Sequence, residues 1–230
     1  MPSFTLLGEQ IIRFPFILDS SYPHEILHNW WGNSVYPAYD SGNWSEGLTA
    51  YLADHLFQEM NEAGPDYRKD MLGRYRSAVS ESADFPLREF TSRNSAASQA
   101  VGYGKTLMLW HMLRIELGDD LFLETLRELY ARRQFTRTSY ADIEAIFSRA
   151  SGKDLRAFFA QWVERTGAPE LAVQVLPQGG TRAQVQLRQT QVAEPYLLKV
   201  PIAIYYEGEA KGQIVENYMS AREGSLLVEN

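Results

Sequence analysis

Pro23-His24-Glu25-Ile26-Leu27-His28-Asn29-Trp30-Trp31-Gly32-Asn33 is the stretch that decides how this chain is read. It contains His-Glu-x-x-His. On a helix, residues four apart share a face, so His24 and His28 can turn two imidazoles toward one ion. Glu25 projects from the adjacent position, within reach of a water on that ion. Two imidazole ligands and a carboxylate base are the parts of a zinc-dependent hydrolysis. Catalytic zinc takes three protein ligands and keeps one position open. Asn43-Trp44-Ser45-Glu46-Gly47 supplies the third, with Glu46 at a candidate helix start. The chain has four histidines, and two of them stand in this one stretch, which weighs against a fortuitous pattern.

HEILHNWWGN followed by NWSEGLTAYLADHL resembles the gluzincin metallopeptidases, specifically the aminopeptidase N family. That family carries His-Glu-x-x-His, then an aromatic-Gly-Asn, then Asn-Glu-Gly on the next helix. Here the interval from His28 to Glu46 is one residue shorter than the family's, and Ser45 stands where the family usually has Asn. Gly102-Tyr103-Gly104-Lys105 is similar to the family's Tyr-x-Lys-Gly, with Thr106 in place of the Gly. Phe158-Phe159-Ala160-Gln161-Trp162 and Gly167-Ala168-Pro169 have counterparts at the end of its catalytic domain. The resemblance implies an α+β protein: a thermolysin-like, mainly helical catalytic domain over residues 1–167, then a small β-sandwich-like domain over 168–230. It implies Zn2+ held by His24, His28 and Glu46, Glu25 as general base, and Tyr103 as hydrogen-bond donor to the tetrahedral intermediate. The substrate would be a peptide that loses its N-terminal residue.

The family's Gly-x-Met-Glu-Asn strand, whose Glu binds the substrate's amino terminus, has no counterpart here. The expectation is that the chain begins within or just after that strand. Glu9 is the acid nearest the missing position, and it reads as an edge-strand or turn carboxylate rather than an anchor. The absent motif keeps two alternatives open: an endopeptidase of the same clan, and a truncated non-catalytic module that binds metal or protein.

Composition bounds the rest. The chain has 230 residues, 45% of them hydrophobic, enough for a real core. The net charge of −7 argues against a nucleic-acid partner, which calls for a basic face. Arg132-Arg133 reads as the answer to a helix dipole. With no Cys, a metal site must use His and carboxylate. No stretch reaches the length of a membrane span, and no basic region followed by an apolar run marks a signal peptide.

In chain order, Ser3–Leu7 and Ile11–Leu18 read as strands or extended segments. Ser20-Ser21 before Pro23 predicts a hydroxyl-capped helix to about Trp31, ended by Gly32-Asn33. Tyr36, Tyr39 and Trp44 either pack the following loop or line a cleft. Asp40 is the substitute third ligand should Glu46 fail. A helix from Asn43 or Ser45 runs to Gly64-Pro65. On it Asp54 reads as a solvated carboxylate, with a place behind a zinc histidine as the other reading, and His55 as a surface or rim histidine. Another helix spans Asp66 to about Ser82, and a long polar loop Asp84 to Ser98. Tyr103 reads at the head of the next helix, with His111 as a core histidine. Helices follow from Asp119, Ser139 and Lys153. Beyond Leu171 the pattern alternates, giving five short strands with turns at Gln178-Gly179-Gly180 and Glu207-Gly208-Glu209.

Overall fold

The computed structural model describes residues 4–180, 182–205 and 212–229. By its contacts the chain divides into two units, Met1–Thr166 and Gly167–Asn230. The first is helical and the second is built of strands, an α+β protein.

The first unit opens without the expected strands. Ile11 N and Ile12 N both bond back to Gly8 O as a turn, and Pro15–Asp19 is a 3-10 turn. Pro15 has no N–H to give a ladder and its fixed φ suits a helical turn, which explains the difference over Ile11–Leu18. Ser3 lies outside the described residues. Helix α1, Ser21–Leu27, starts where Ser20 and Pro23 predict, but Ser20 Oγ donates to Phe16 O at 2.7 Å instead of capping it. The helix ends before Trp31. Asn29 N and Asn29 Nδ2 both take Ile26 O, and the last turn tightens.

A two-residue strand β1, Tyr36–Pro37, pairs in parallel with β2, Arg137–Thr138. Next comes one continuous helical run: α2 (Trp44–Ala50), a π turn (Tyr51–His55) and α3 (Leu56–Met60). Asn43 caps it by accepting from Ser45 N. The run stops at Asn61, where Glu62 turns left-handed at φ 60. Gly64-Pro65 therefore opens the following helix rather than closing this one; α4 is Gly64–Ala78, with Pro in its first turn as Pro prefers. A second continuous run joins α5 (Ala96–Gln99), a π turn (Ala100–Lys105) and α6 (Thr106–Leu117). Tyr103 thus sits inside a helical run, not at its head. Then come α7 (Asp119–Arg133), α8 (Tyr140–Ser151) and α9 (Arg156–Phe159), the last extended by a π turn over Ala160–Glu164. Arg132 and Arg133 occupy the last turn of α7, and Ser139 and Asp142 form a reciprocal cap on α8.

Burial explains why these helices hold together. Leu107, Leu109, Trp110 and Leu113 of α6 are fully enclosed, as are Trp44 and Leu48 of α2. Trp110, Phe122 and Phe147 tie α6, α7 and α8 through ring contacts of 5.9–6.5 Å. Each such side chain contributes about 1.5–3 kcal/mol by leaving water. Helices α2 and α6 meet at Gly47 and Thr106. A Cβ on residue 47 would collide with the Thr106 side chain, so only glycine allows this approach.

In the second unit β3 (Leu171–Gly179) pairs antiparallel with β4 (Arg182–Gln189), and β4 with β7 (Glu223–Glu229). Strands β5 (Leu198–Ile204) and β6 (Gln213–Met219) form a second antiparallel pair. Val185, Leu187 and Met219 make the core, covered by Leu198, Val200, Ile202 and Val228. Their period of two is the alternation read from the sequence. The turn expected at Glu207-Gly208-Glu209 lies outside the described residues.

Candidate active site

Helix α1 presents His24 and Glu25, and His28 follows at its C-terminal cap. Helix α2 presents Glu46 from its first turn. His24 Nε2 lies 3.4 Å from Glu46 Oε2, and His28 Nε2 lies 3.3 Å from the same oxygen. The ligand atoms of the three residues all lie within 4.8 Å of one another. The structure therefore brings together the three residues that the sequence singles out as a ligand set.

Each imidazole is held by its other nitrogen. His28 Nδ1 is 2.9 Å from Trp31 O. A carbonyl can only accept, so His28 carries a proton on Nδ1 and turns Nε2 toward Glu46. Gly32, at φ 115, lets the chain fold back after Trp31 to set this bond. His24 Nδ1 is 2.8 Å from Asp54 Oδ2, which orients that ring in the same sense. Asp54 is thus the partner of a site histidine rather than a freely solvated carboxylate. It gets there through the π turn Tyr51–His55.

These contacts set the charge balance. Burial alone would lower the His24 pKa, but hydrogen bonds with Asp54 and Glu46 outweigh it and raise the value to about 9. Burial alone would raise the Glu46 pKa, but hydrogen bonds with His24 and His28 hold its carboxyl well below the usual carboxylate range. Tyr103 stacks on His24 at 6.2 Å between ring centroids. Burial, then the Glu46 charge, push the Tyr103 hydroxyl upward, so it stays protonated and able to donate.

The donor set suits zinc. Metal–ligand distances of about 2.0–2.1 Å at tetrahedral angles put neighbouring ligand atoms about 3.3 Å apart. The two spacings to Glu46 Oε2 match that edge. Histidines oriented from behind by a carboxylate and a carbonyl are the usual support of such a site.

The site opens into a cleft of about 880 Å3, lined among others by Glu25, Tyr39, Tyr67, Arg93 and Tyr103. Tyr39 therefore faces the cleft. Tyr36 is exposed in β1, and Trp44 is buried with Nε1 donating to Thr138 O at 2.7 Å. Asp40, the substitute ligand, is an exposed partner of Arg137 at 3.1 Å and does not line the cleft. Glu9 is exposed in the turn after Gly8. His55 is fully buried, not a rim residue; Arg68 Nη1 reaches its Nε2 at 2.7 Å. His111 is half-buried against the Tyr51 hydroxyl at 3.1 Å.

Known proteins share this arrangement's surroundings. The peptidase family M1 domain matches residues 20–162. Aminopeptidase N of Lactococcus lactis is 26% identical over 164 residues, 66% of this chain and 19% of that protein. The mitochondrial aminopeptidase 2 of Saccharomyces cerevisiae is 25% identical over 157 residues, 65% of this chain and 16% of its own. Among solved structures, Legionella pneumophila aminopeptidase A in complex with aspartic acid superposes over 90% of this chain and 24% of its own, with TM-score 0.60 and 19% identity, a likeness of fold. The M1 zinc metallopeptidase from Deinococcus radiodurans covers 64% of this chain and 33% of its own, at TM-score 0.53 and 26% identity. The chain spans about a fifth of the length of the curated relatives it matches. The matched domain runs from α1 into the last π turn, more than half of the chain, and the chain belongs to peptidase family M1.

Proposed function

We propose that this chain carries out zinc-dependent hydrolysis of peptide bonds, releasing N-terminal residues, and that residues 1–167 form the catalytic domain with 168–230 as an accessory β-domain. The observation that carries the reading is the pair of 3.3–3.4 Å spacings among two outward-facing Nε2 atoms and Glu46 Oε2. In this reading His24, His28 and Glu46 hold zinc. Zinc, when bound, supplies a Lewis acid for the scissile carbonyl and for water. Glu25 takes the proton from the attacking water and passes it to the leaving amine. Tyr103 donates to the oxygen on which negative charge develops, the kind of bond whose loss costs about 10²–10³ in rate. Asp54 and the Trp31 carbonyl fix the two rings.

The named relatives are aminopeptidases, which supports a peptide substrate with a free amino terminus. The acidic balance of the chain supports no nucleic-acid partner, and no helix among the described residues is long and apolar enough to cross a membrane. The test is elemental analysis joined to peptide hydrolysis. One zinc per chain is expected, lost in His24→Ala and His28→Ala. Glu25→Gln should keep the metal and lose nearly all activity. A chain that binds no zinc, or a fully active Glu25→Gln, would overturn the reading. Equal cleavage of a peptide and its acetylated twin would replace N-terminal release with internal cleavage.

A further inference from the structure

Two arginines line the cleft. Arg74 is spoken for: its guanidinium pairs with Asp70 at 2.8 Å. Arg93 is not. Among the described residues no carboxylate comes within ion-pair distance of it, and it is exposed. Its guanidinium lies over the Tyr103 ring at 5.9 Å, and Tyr103 in turn stacks on His24. An unpaired cation therefore stands one aromatic ring away from a candidate ligand.

The backbone that carries Arg93 is tied down on both sides. Before it, Asn43 Nδ2 donates to Thr91 O at 3.1 Å and Asn43 N donates to Phe90 O at 2.6 Å. After it, Ser98 Oγ accepts from both Asn94 N at 2.9 Å and Ser95 N at 2.8 Å. Asn43 is also the cap of the helix that presents Glu46. Phe90 is buried and packs edge-on to Tyr103. The residues that set Glu46 and Tyr103 thus also set the segment bearing Arg93. A planar cation on a backbone held in this way is suited to a planar anion, which it can grip with two parallel hydrogen bonds.

We infer that Arg93 is the anion-recognising residue of the cleft and that the favoured ligands are short peptides presenting a carboxylate to it. This rests on the proposed peptidase reading and names its substrate class. The carboxylate can be the peptide's own C-terminus or an acidic side chain. A residue spans about 3.5 Å of extended chain, so a carboxylate one or two residues from the scissile bond has the reach of a group one ring beyond the ligand His24.

The experiment compares tri-alanine, its C-terminal amide, and tri-residue amides with Glu at the second or third position. Each is measured for KM on the zinc-loaded chain, and for affinity to the Glu25→Gln chain, where binding is read without turnover. The free acid, or one of the Glu-bearing amides, should bind about tenfold more tightly than the neutral amide, the effect of one charge-assisted pair. Which peptide gains tells C-terminal from side-chain recognition. Arg93→Gln should erase the gain and leave the neutral amide within twofold, and Arg93→Lys should keep part of it. Added salt should shrink the gain. Equal affinity for all four peptides on the unmutated site overturns the inference. So does an Arg93→Gln chain that weakens the neutral amide as much as the acids, since Arg93 would then act through Tyr103. Should no peptide be hydrolysed while the acids still bind more tightly, the peptidase reading fails and the Arg93 inference stands. Should no peptide bind at all, both fail.

Discussion

Asp54 offers the sharpest test of how the proposed metal centre is held. Its Oδ2 sits 2.8 Å from His24 Nδ1, and His24 is buried, so little water is at hand to replace the bond. Removing a carboxylate that orients a ligand histidine typically costs 10–100-fold in metal affinity, about 1.4–2.7 kcal/mol. Asp54→Asn keeps an acceptor for the ring N–H and loses the charge, so it belongs near the tenfold end. Asp54→Ala also frees the ring to rotate and belongs near the hundredfold end. The assay is a competition titration of zinc against a chelator of known affinity. It is best run above pH 9, because the same carboxylate also favours a proton on His24, whose pKa is raised to about 9, and that proton competes with metal. An Asp54→Ala chain that binds zinc within twofold of the unmutated chain would refute the account of a ring positioned from behind.

Other outcomes follow from the packing and the buried charges. Gly47→Ala should lower stability by about 1–3 kcal/mol in urea unfolding, because the new methyl meets the Thr106 side chain, and Thr106→Gly on top of it should recover part of the loss. Asn43→Ala should cost about 0.5–2 kcal/mol as a lost helix cap, and should weaken zinc binding as well, since that helix presents Glu46; a loss of stability with unchanged zinc affinity would separate the two. Burial lowers His55 and His111 to about 4, against about 6.5 in an unfolded chain. As pH falls the unfolded chain takes up protons first, so the stability these residues allow is full above about pH 6.5 and is lost toward pH 4. The slope is up to about 1.4 kcal/mol per pH unit for each histidine, and His111→Gln should flatten it in metal-free unfolding.

The candidate ligand triad was legible because its parts are local in sequence. His24 and His28 need only one helical turn between them, and Glu46 needs only the start of the next helix. Asp54 was not, for a geometric reason. It lies eight residues after Glu46, and in a regular α-helix an eight-residue step falls about 80° off the starting face. The π turn Tyr51–His55 takes up one extra residue and brings Asp54 back toward the face of Glu46. Nothing in YLADH announces that insertion, and without it His55 also reads as a rim residue rather than a buried one. The same kind of turn hid the setting of Tyr103, which the resemblance puts at a helix head. Gly102 instead answers packing, since a Cβ there would strike the Phe90 ring. The five strands of the second unit were readable because alternation and turn glycines mark them directly, whereas Pro15 turned an apolar run at the start of the chain into a helical turn.

The two-residue pairing of β1 with β2 joins segments a hundred residues apart. Tyr36 N and Ala38 N donate to Thr136 O and Thr138 O, and Trp44 Nε1 takes Thr138 O as well. The loop between the two halves of the candidate ligand set is therefore anchored by residues that emerge from the ribosome long after both. Contacts of such long sequence separation form late and slow the search for the native state. During synthesis every candidate ligand and the proposed base would already be outside while the rail that spaces α1 from α2 is still missing. A chain stopped after α7 would carry His24, Glu25, His28, Glu46, Asp54 and Tyr103 and still lack the strand against which their spacing is set.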